Sequence, residues 1–425
     1  MNGKLLFRRF LGTAGVQVLG RGAALLLSIV LARMLQPEQF GYYSYIISLL
    51  SIFSIPVVTG LPNLIIREIA RFNADNEIEK INGIIRWSEK YIYICFLVLS
   101  SLFLFFIKLD FNYEIILFIS LSILLRGITF KNAALLNVYG FVPLSQVFNQ
   151  LLPGVMQIIL LIVFYFINKS INVESSLIMY IVSLLFTSLM LWVVKNKKIP
   201  FDKNKKVVSN NGSWIKALVP FSMVGIVYTL NTELSIVIVN YLAEPDSVAY
   251  IKVALQLSLI VSFGLTAIDT VLRPEIARNY QLNKKDETQS LINKSLLVSI
   301  SVSVPVLIVL IFFGREIITL LYGEQYSDVY KLLVILCLGN VMNAMTGSVS
   351  LVLNMTGNEK YCLLIASLSL LLNVVLMTIL IPIYGIVGAS WAIVISVAVS
   401  NVYMARVALS KTELKTYIRY NFWRY

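Results

Sequence analysis

Apolar runs of roughly 18 to 25 residues recur along this chain from one end to the other. Nothing else in the sequence constrains the fold as strongly. Each run is long enough to cross the roughly 30 Å of hydrocarbon in a bilayer, and a segment surrounded by lipid must satisfy its own backbone hydrogen bonds. The runs are therefore expected to be helices, and the period-two alternation of a membrane barrel is absent. Composition agrees: 13% of residues are charged, against roughly 25% in a soluble domain, and mean hydropathy is +0.82.

Breaks at charges, prolines and glycines divide the first half into spans near 11–32, 41–62, 91–109, 115–139, 144–167 and 176–194. The second half divides near 214–241, 250–272, 295–313, 330–353, 361–381 and 386–408. The expectation is an all-α integral membrane protein of about twelve helices. Lys4, Arg8 and Arg9 precede the first run, which lacks a small-x-small cleavage site and is expected to stay as the first span.

The net charge of +13 would suggest nucleic acid in a soluble protein. Here no nucleic-acid partner is expected, because the basic residues lie between spans. About 26 of them, including Arg67, Arg71, Lys80, Arg86 and Lys90, fall on one side and about six on the other. That bias predicts two cytoplasmic termini and hence an even number of spans. The polar stretch 64–90 is too hydrophilic to cross; the spacing of Leu64, Ile65, Ile69, Phe72, Ile81, Ile84 and Ile85 predicts a helix along the membrane surface. Cys95, Cys337 and Cys362 show no ligand spacing, and there is no histidine, so no metal site is expected.

The two halves resemble each other. Leu35-Gln36-Pro37-Glu38-Gln39-Phe40-Gly41-Tyr42 joins spans one and two, and Ala243-Glu244-Pro245-Asp246-Ser247-Val248-Ala249-Tyr250 joins spans seven and eight. Glu68-Ile69-Ala70-Arg71 reappears as Glu275-Ile276-Ala277-Arg278, and Leu136-Asn137-Val138-Tyr139-Gly140 as Leu353-Asn354-Met355-Thr356-Gly357. Three matches in order, at equivalent junctions, predict two six-helix lobes, 1–200 and 201–425, related by a parallel repeat. Such duplication is the signature of an alternating-access transporter.

The chain also resembles bacterial polysaccharide flippases of the multidrug/oligosaccharidyl-lipid/polysaccharide exporter superfamily. The resemblance rests on Leu31-Ala32-Arg33-Met34-Leu35-x-Pro37-Glu38-x-Phe40-Gly41-Tyr42-Tyr43, and on Gly60-Leu61-Pro62 running into Arg67-Glu68-Ile69-Ala70-Arg71. Pro382-Ile383-Tyr384-Gly385-Ile386-Val387-Gly388-Ala389 between the last two spans completes it. It implies a bacterial inner-membrane protein that moves undecaprenyl-pyrophosphate-linked repeat units to the periplasmic leaflet, for O-antigen, capsule or a related polysaccharide. It also implies membrane lipids as partners, with a polysaccharide polymerase and chain-length proteins as candidates. No cofactor is expected beyond coupling to a proton or sodium gradient.

An anionic cargo of that kind needs buried cations in a water-filled cavity, and a charge at a helix centre costs at least about 2.5–3.5 kcal/mol. Arg21, between Gly20 and Gly22 in the first span, is one candidate ligand; Arg126 and Lys131 in the fourth are the others. Five residues put those two about 140° apart on a helix, so only one of them is expected to face a given cavity. Glu233 in span seven is a candidate for ion coupling, or else a counter-ion to a buried arginine. Asp269, near Arg273, is a weaker candidate for the same roles.

Two other classes compete. A cation-drug or small-solute exporter favours buried carboxylates, whereas these central charges lean basic. A membrane polysaccharide polymerase needs a sizeable extracytoplasmic loop, and the longest outside loop, near 314–329, is short.

Overall fold

The computed structural model describes residues 3–75, 77–106, 113–199 and 211–417. The basic side chains of Lys4, Arg8 and Arg9, the run with Lys203, Lys205 and Lys206, the lobe boundary at 200/201 and the residues after 417 lie outside the described set.

Helices account for nearly all of it. The first six expected spans correspond to α1 (Gly3–Met34), the bent pair α2 (Pro37–Phe53) and α3 (Leu61–Ala74), then α4 (Ile78–Phe106), α5 (Tyr113–Val138), α6 with α7 (Val142–Gln146, Leu152–Asn168) and α8 (Val173–Lys198). The second six correspond to α9 (Asn211–Leu242), the pair α10 and α11 (Ser247–Ser258, Phe263–Gln281), α12 (Lys285–Tyr322), the pair α13 and α14 (Val329–Thr346, Val349–Met355) and the double-length α15 (Glu359–Thr412). Among the described residues eight helices are long and apolar enough to cross a membrane unaided, and a pair bent by 56° makes a ninth. In α15, Gly385 leaves helical geometry at φ 58°, ψ −144°, which separates two spans within 54 residues.

Two elements differ from the sequence expectation. The apolar stripe of 64–85 is covered by protein. Leu64, Ile65, Ile69 and Ile84 are fully buried, because α3 and α4 turn that stripe onto each other and onto α5. The expected outside loop near 314–329 is mostly helix: α12 runs on to Tyr322, and Val329 already begins α13.

The duplication is visible in the backbone. Helix restarts at Pro37 in one half and at Ser247 in the other. The next interruptions, at Ser54–Ile55 and Leu259–Ser262, are again equivalent in the repeat. Gly140 (φ 86°) and Gly357 (φ 77°) both turn left-handed after a helix, and the following amide bonds back five residues in each case, Phe141 N to Leu136 O and Asn358 N to Leu353 O. This is the Schellman closure that favours glycine.

The described chain forms two compact units, one of residues 1–35 and 46–229, the other of 36–45 and 230–425. In the first, α5 is packed by α3, α4, α6 and α8, while α1 lies on α6 and α7. In the second, α12 packs on α11 and α13, and α15 on α13 and α14. Here Gly41 is needed for contact: a Cβ would meet the Pro245 carbonyl and the Ala249 amide, both at 3.2 Å, and Ala249 is its own counterpart in the repeat. Hydroxyl residues fill the interiors. Ser183, Thr187 and Ser258 are buried and donate to carbonyls of their own helices, so they offer small packing surfaces without orphaned donors. Large apolar side chains such as Phe166, Ile167, Phe312 and Leu320 point outward, as lipid contact requires.

The segment after α15 completes the second unit. Gln289 on α12 donates to the Lys415 carbonyl (2.7 Å) and accepts from the Lys415 amide (2.8 Å). Leu414 is buried with Ile276, Ile292, Leu351 and Val352.

Candidate functional site: charged groups within the helical bundles

In the first unit a guanidinium attends a broken helix. Pro56 has no amide hydrogen to donate, and the turn Pro56–Gly60 widens to a π-helix before α3 begins. Ser54, fully buried at that bend, accepts from Nη1 of Arg126 at 3.0 Å. Gly127, the next residue on α5, gives α5 its close approach to Ile92 and Val57, with would-be Cβ contacts of 3.0 and 3.3 Å.

Lys131, one and a half turns further along α5, is directed elsewhere. Its Nζ lies 2.7 Å from Oε1 of Glu89 on α4; the lysine side chain is 5% exposed and the glutamate 49%. Sequence spacing alone separates the two cations of α5, and the structure gives each a different partner. Arg21 is exposed on α1. Of its flanking glycines only Gly20 serves a close approach, to Cβ of Gln150 (3.1 Å); a Cβ on Gly22 would meet open space.

In the second unit Glu233 lines a cavity of about 470 Å³ between α9, α10, α13 and α15. Lys252, Gln256 and Asn340 share its walls. The Asn340 amide donates to the Ser258 carbonyl at 3.2 Å, where α10 breaks, and Ser303 donates to the Val261 carbonyl at 2.6 Å in the same break. Asp269 accepts a hydrogen bond from the Ser348 hydroxyl, which joins α11 to the start of α14. Asp269 and Glu233 are not both in the cavity wall.

Lys252 went unweighed in the sequence, although Ile251-Lys252-Val253 places a cation among apolar residues and is the signal that could have found it. Of the uncharged polar residues within spans, Asn373 donates to Ser235 (3.0 Å) and Asn343 accepts from Asn401 (3.0 Å), which is interhelical bonding.

Comparison with known proteins decides the family. The profile described as "Polysaccharide biosynthesis protein" matches residues 30–331, well over half of the chain. The chain belongs to that family. A capsular polysaccharide biosynthesis protein of Staphylococcus aureus, CapF, is 23% identical over 247 residues, a match spanning 57% of this chain and 62% of CapF. A Shigella flexneri protein named for O-antigen transport is 26% identical over 393 residues, 85% of this chain and 88% of that one. Among solved structures, the lipid II flippase MurJ in an inward closed conformation superposes with a TM-score of 0.75 at 17% identity, covering 92% of this chain and 86% of MurJ. At that identity the likeness shows the fold. Helix content, apolar spans and fold together make this family member a multi-pass membrane protein.

Proposed function

We propose that this chain flips undecaprenyl-pyrophosphate-linked oligosaccharide repeat units from the cytoplasmic to the periplasmic leaflet of a bacterial inner membrane, by alternating access, for O-antigen, capsule or a related surface polysaccharide. The observation that carries the reading is a chain of the polysaccharide biosynthesis family built as a multi-span bundle with the fold of a lipid II flippase. In this reading it is a transporter and not an enzyme, and both termini are cytoplasmic.

Arg126 is the residue best suited to meet a pyrophosphate. It is half-buried on a span, it donates to a neutral hydroxyl, and its fork leaves donors for an anion. Arg21 is the second candidate. Lys131 already has a carboxylate within 2.7 Å and suits the role less. Glu233 then serves the ion gradient, as a carboxylate in a cavity wall that it shares with Lys252, Gln256 and Asn340. Polymerase and chain-length proteins are the partners expected downstream.

Deleting the gene in its host tests the reading. Loss of surface polymer with accumulation of single lipid-linked repeat units on the cytoplasmic leaflet, reversed by the wild-type gene, is the expected result. Units that reach the periplasm but stay unpolymerised would indicate a polymerase-type enzyme. A second reading, ion-coupled export of small molecules, draws on the Glu233–Lys252 cavity. Unchanged lipid-linked pools together with drug sensitivity of the deletion strain would favour it.

A further inference from the structure

Two adjoining cavities in the first unit flank the Lys131–Glu89 pair and are not lined by Arg126. The larger, about 460 Å³, is lined by Ile85, Arg86 and Glu89 of α4, Leu135 of α5, and Trp192, Lys195, Asn196 and Ile199 at the end of α8. The smaller, about 140 Å³, shares Glu89, Trp192 and Lys195 and adds Lys131, Asn132 and Tyr93. Together they form one pocket at the level where α4 and α8 pass from polar to apolar sequence.

Three observations meet there. The walls hold three cations, Arg86, Lys131 and Lys195, against one carboxylate, Glu89, so the pocket carries a net positive charge. Asn132 is 1% exposed, lines the smaller cavity, and has a side-chain amide oxygen with no hydrogen-bond partner. The N–H donors of the same amide are available to an anion without any such enclosure. Finally, the helix faces leading away from the pocket are apolar and outward: Tyr93, Ile94, Leu97 and Val98 on α4, and Trp192 with Leu189 on α8. Trp and Tyr at such a level are the usual mark of the membrane–water boundary.

We infer that this pocket binds the phosphate headgroup of an anionic phospholipid, with its acyl chains along the outward faces of α4 and α8. Basic pockets between spans at the headgroup level are suited to such lipids. Arg86 and Lys195 meet the phosphate from the rim, and Asn132 and Lys131 from the floor. Glu89 has a half-exposed side chain and competes with the phosphate for Lys131. The site lies on the lipid-facing side of one unit and acts as an anchor that tightens α4 against α8.

Purified protein in a neutral detergent, supplemented with phosphatidylglycerol or with phosphatidylcholine, tests this by thermal unfolding. Phosphatidylglycerol is expected to raise Tm by several degrees and phosphatidylcholine to leave it unchanged; R86Q/K195Q loses the shift, measured against that variant's own lipid-free Tm. E89Q sharpens the test. Without its carboxylate, Lys131 depends on the lipid, so this variant starts with a lower Tm and gains more from phosphatidylglycerol than wild type does. Equal shifts in wild type and R86Q/K195Q, or equal shifts with both lipids, overturn the assignment. So does a shift produced by undecaprenyl phosphate and not by phosphatidylglycerol, which would give the pocket to the polyprenyl carrier.

Discussion

The two units break a span at the same place in the repeat and surround the break with different chemistry. At Ser54–Ile55 a serine receives a guanidinium from Arg126. At Leu259–Ser262 the carbonyls of Ser258 and Val261 receive an amide from Asn340 and a hydroxyl from Ser303. A neutral donor is sufficient to satisfy a broken helix. At the first break the guanidinium bonds a side-chain hydroxyl and no backbone carbonyl, so its charge is not explained by the broken backbone alone. The copied tetrads diverge in the same way. Glu68 is buried between Arg67 and Arg71, at 2.6 and 2.7 Å, whereas Glu275, preceded by Pro274 instead of an arginine, is exposed.

The sharpest way to break this comparison is to neutralise one break and then the other. R126A is expected to lower surface polysaccharide at least tenfold at normal protein level, and N340A to leave it largely intact. An interhelical polar contact averages about 0.6 kcal/mol, so both variants should have a Tm close to wild type. Equal losses of polymer would mean that both side chains are merely structural.

Next in size is the Lys131–Glu89 pair, whose partners are unequally buried. E89Q leaves a buried cation without its carboxylate and is expected to destabilise by about 2 kcal/mol, reduced from the cost of a fully buried pair by the exposure of Glu89. K131M leaves only a half-exposed carboxylate and should cost less, so denaturation in zwitterionic detergent should rank E89Q below K131M. G385A comes third. Its backbone lies where non-glycine residues are strained, and a loss of about 1–3 kcal/mol is expected, read as a lower Tm.

The smallest effect concerns pH. Where α4 begins, Lys80 pairs locally with Glu77; where α12 begins, Lys285 reaches across to Glu413 at 2.6 Å. The hydrogen bond and charge of Lys285 hold the Glu413 carboxyl below its usual 4.5, and those of Glu413 hold the Lys285 ammonium above its usual 10.5. The carboxylate's contribution is present above 4.5 and fades as pH falls through its lowered value. The lysine's is present below 10.5 and fades as pH rises through its raised value. Both groups are fully exposed, so Tm should sag only slightly at the two extremes, and E413Q should flatten the profile.

Much of this architecture was legible in the sequence because apolar length and junction motifs are local signals. The repeat even locates the second break, which has neither proline nor glycine in Leu259-Ile260-Val261-Ser262, through its correspondence with the Pro56 bend. Proline alone was a poorer guide: α9 and α12 run straight through Pro220 and Pro305 as continuous helix. The site was less legible. Which way a charge points depends on helix rotation and neighbours, so Arg126 and Lys131 could be separated but not given partners, and Lys252 passed as one more cation. What covers the α3 stripe was not legible for a related reason, since an amphipathic face looks the same whether lipid or protein covers it.

The mutual bonds between Gln289 and Lys415 have a consequence for how the molecule is made. The two residues are 126 positions apart, and Leu414 fills a core whose other members come from α11, α12 and α14. During synthesis those helices enter the membrane with one wall of their core missing, and it stays missing until α15 has been threaded and the chain doubles back. The second unit therefore cannot close this core until its last two spans have been made.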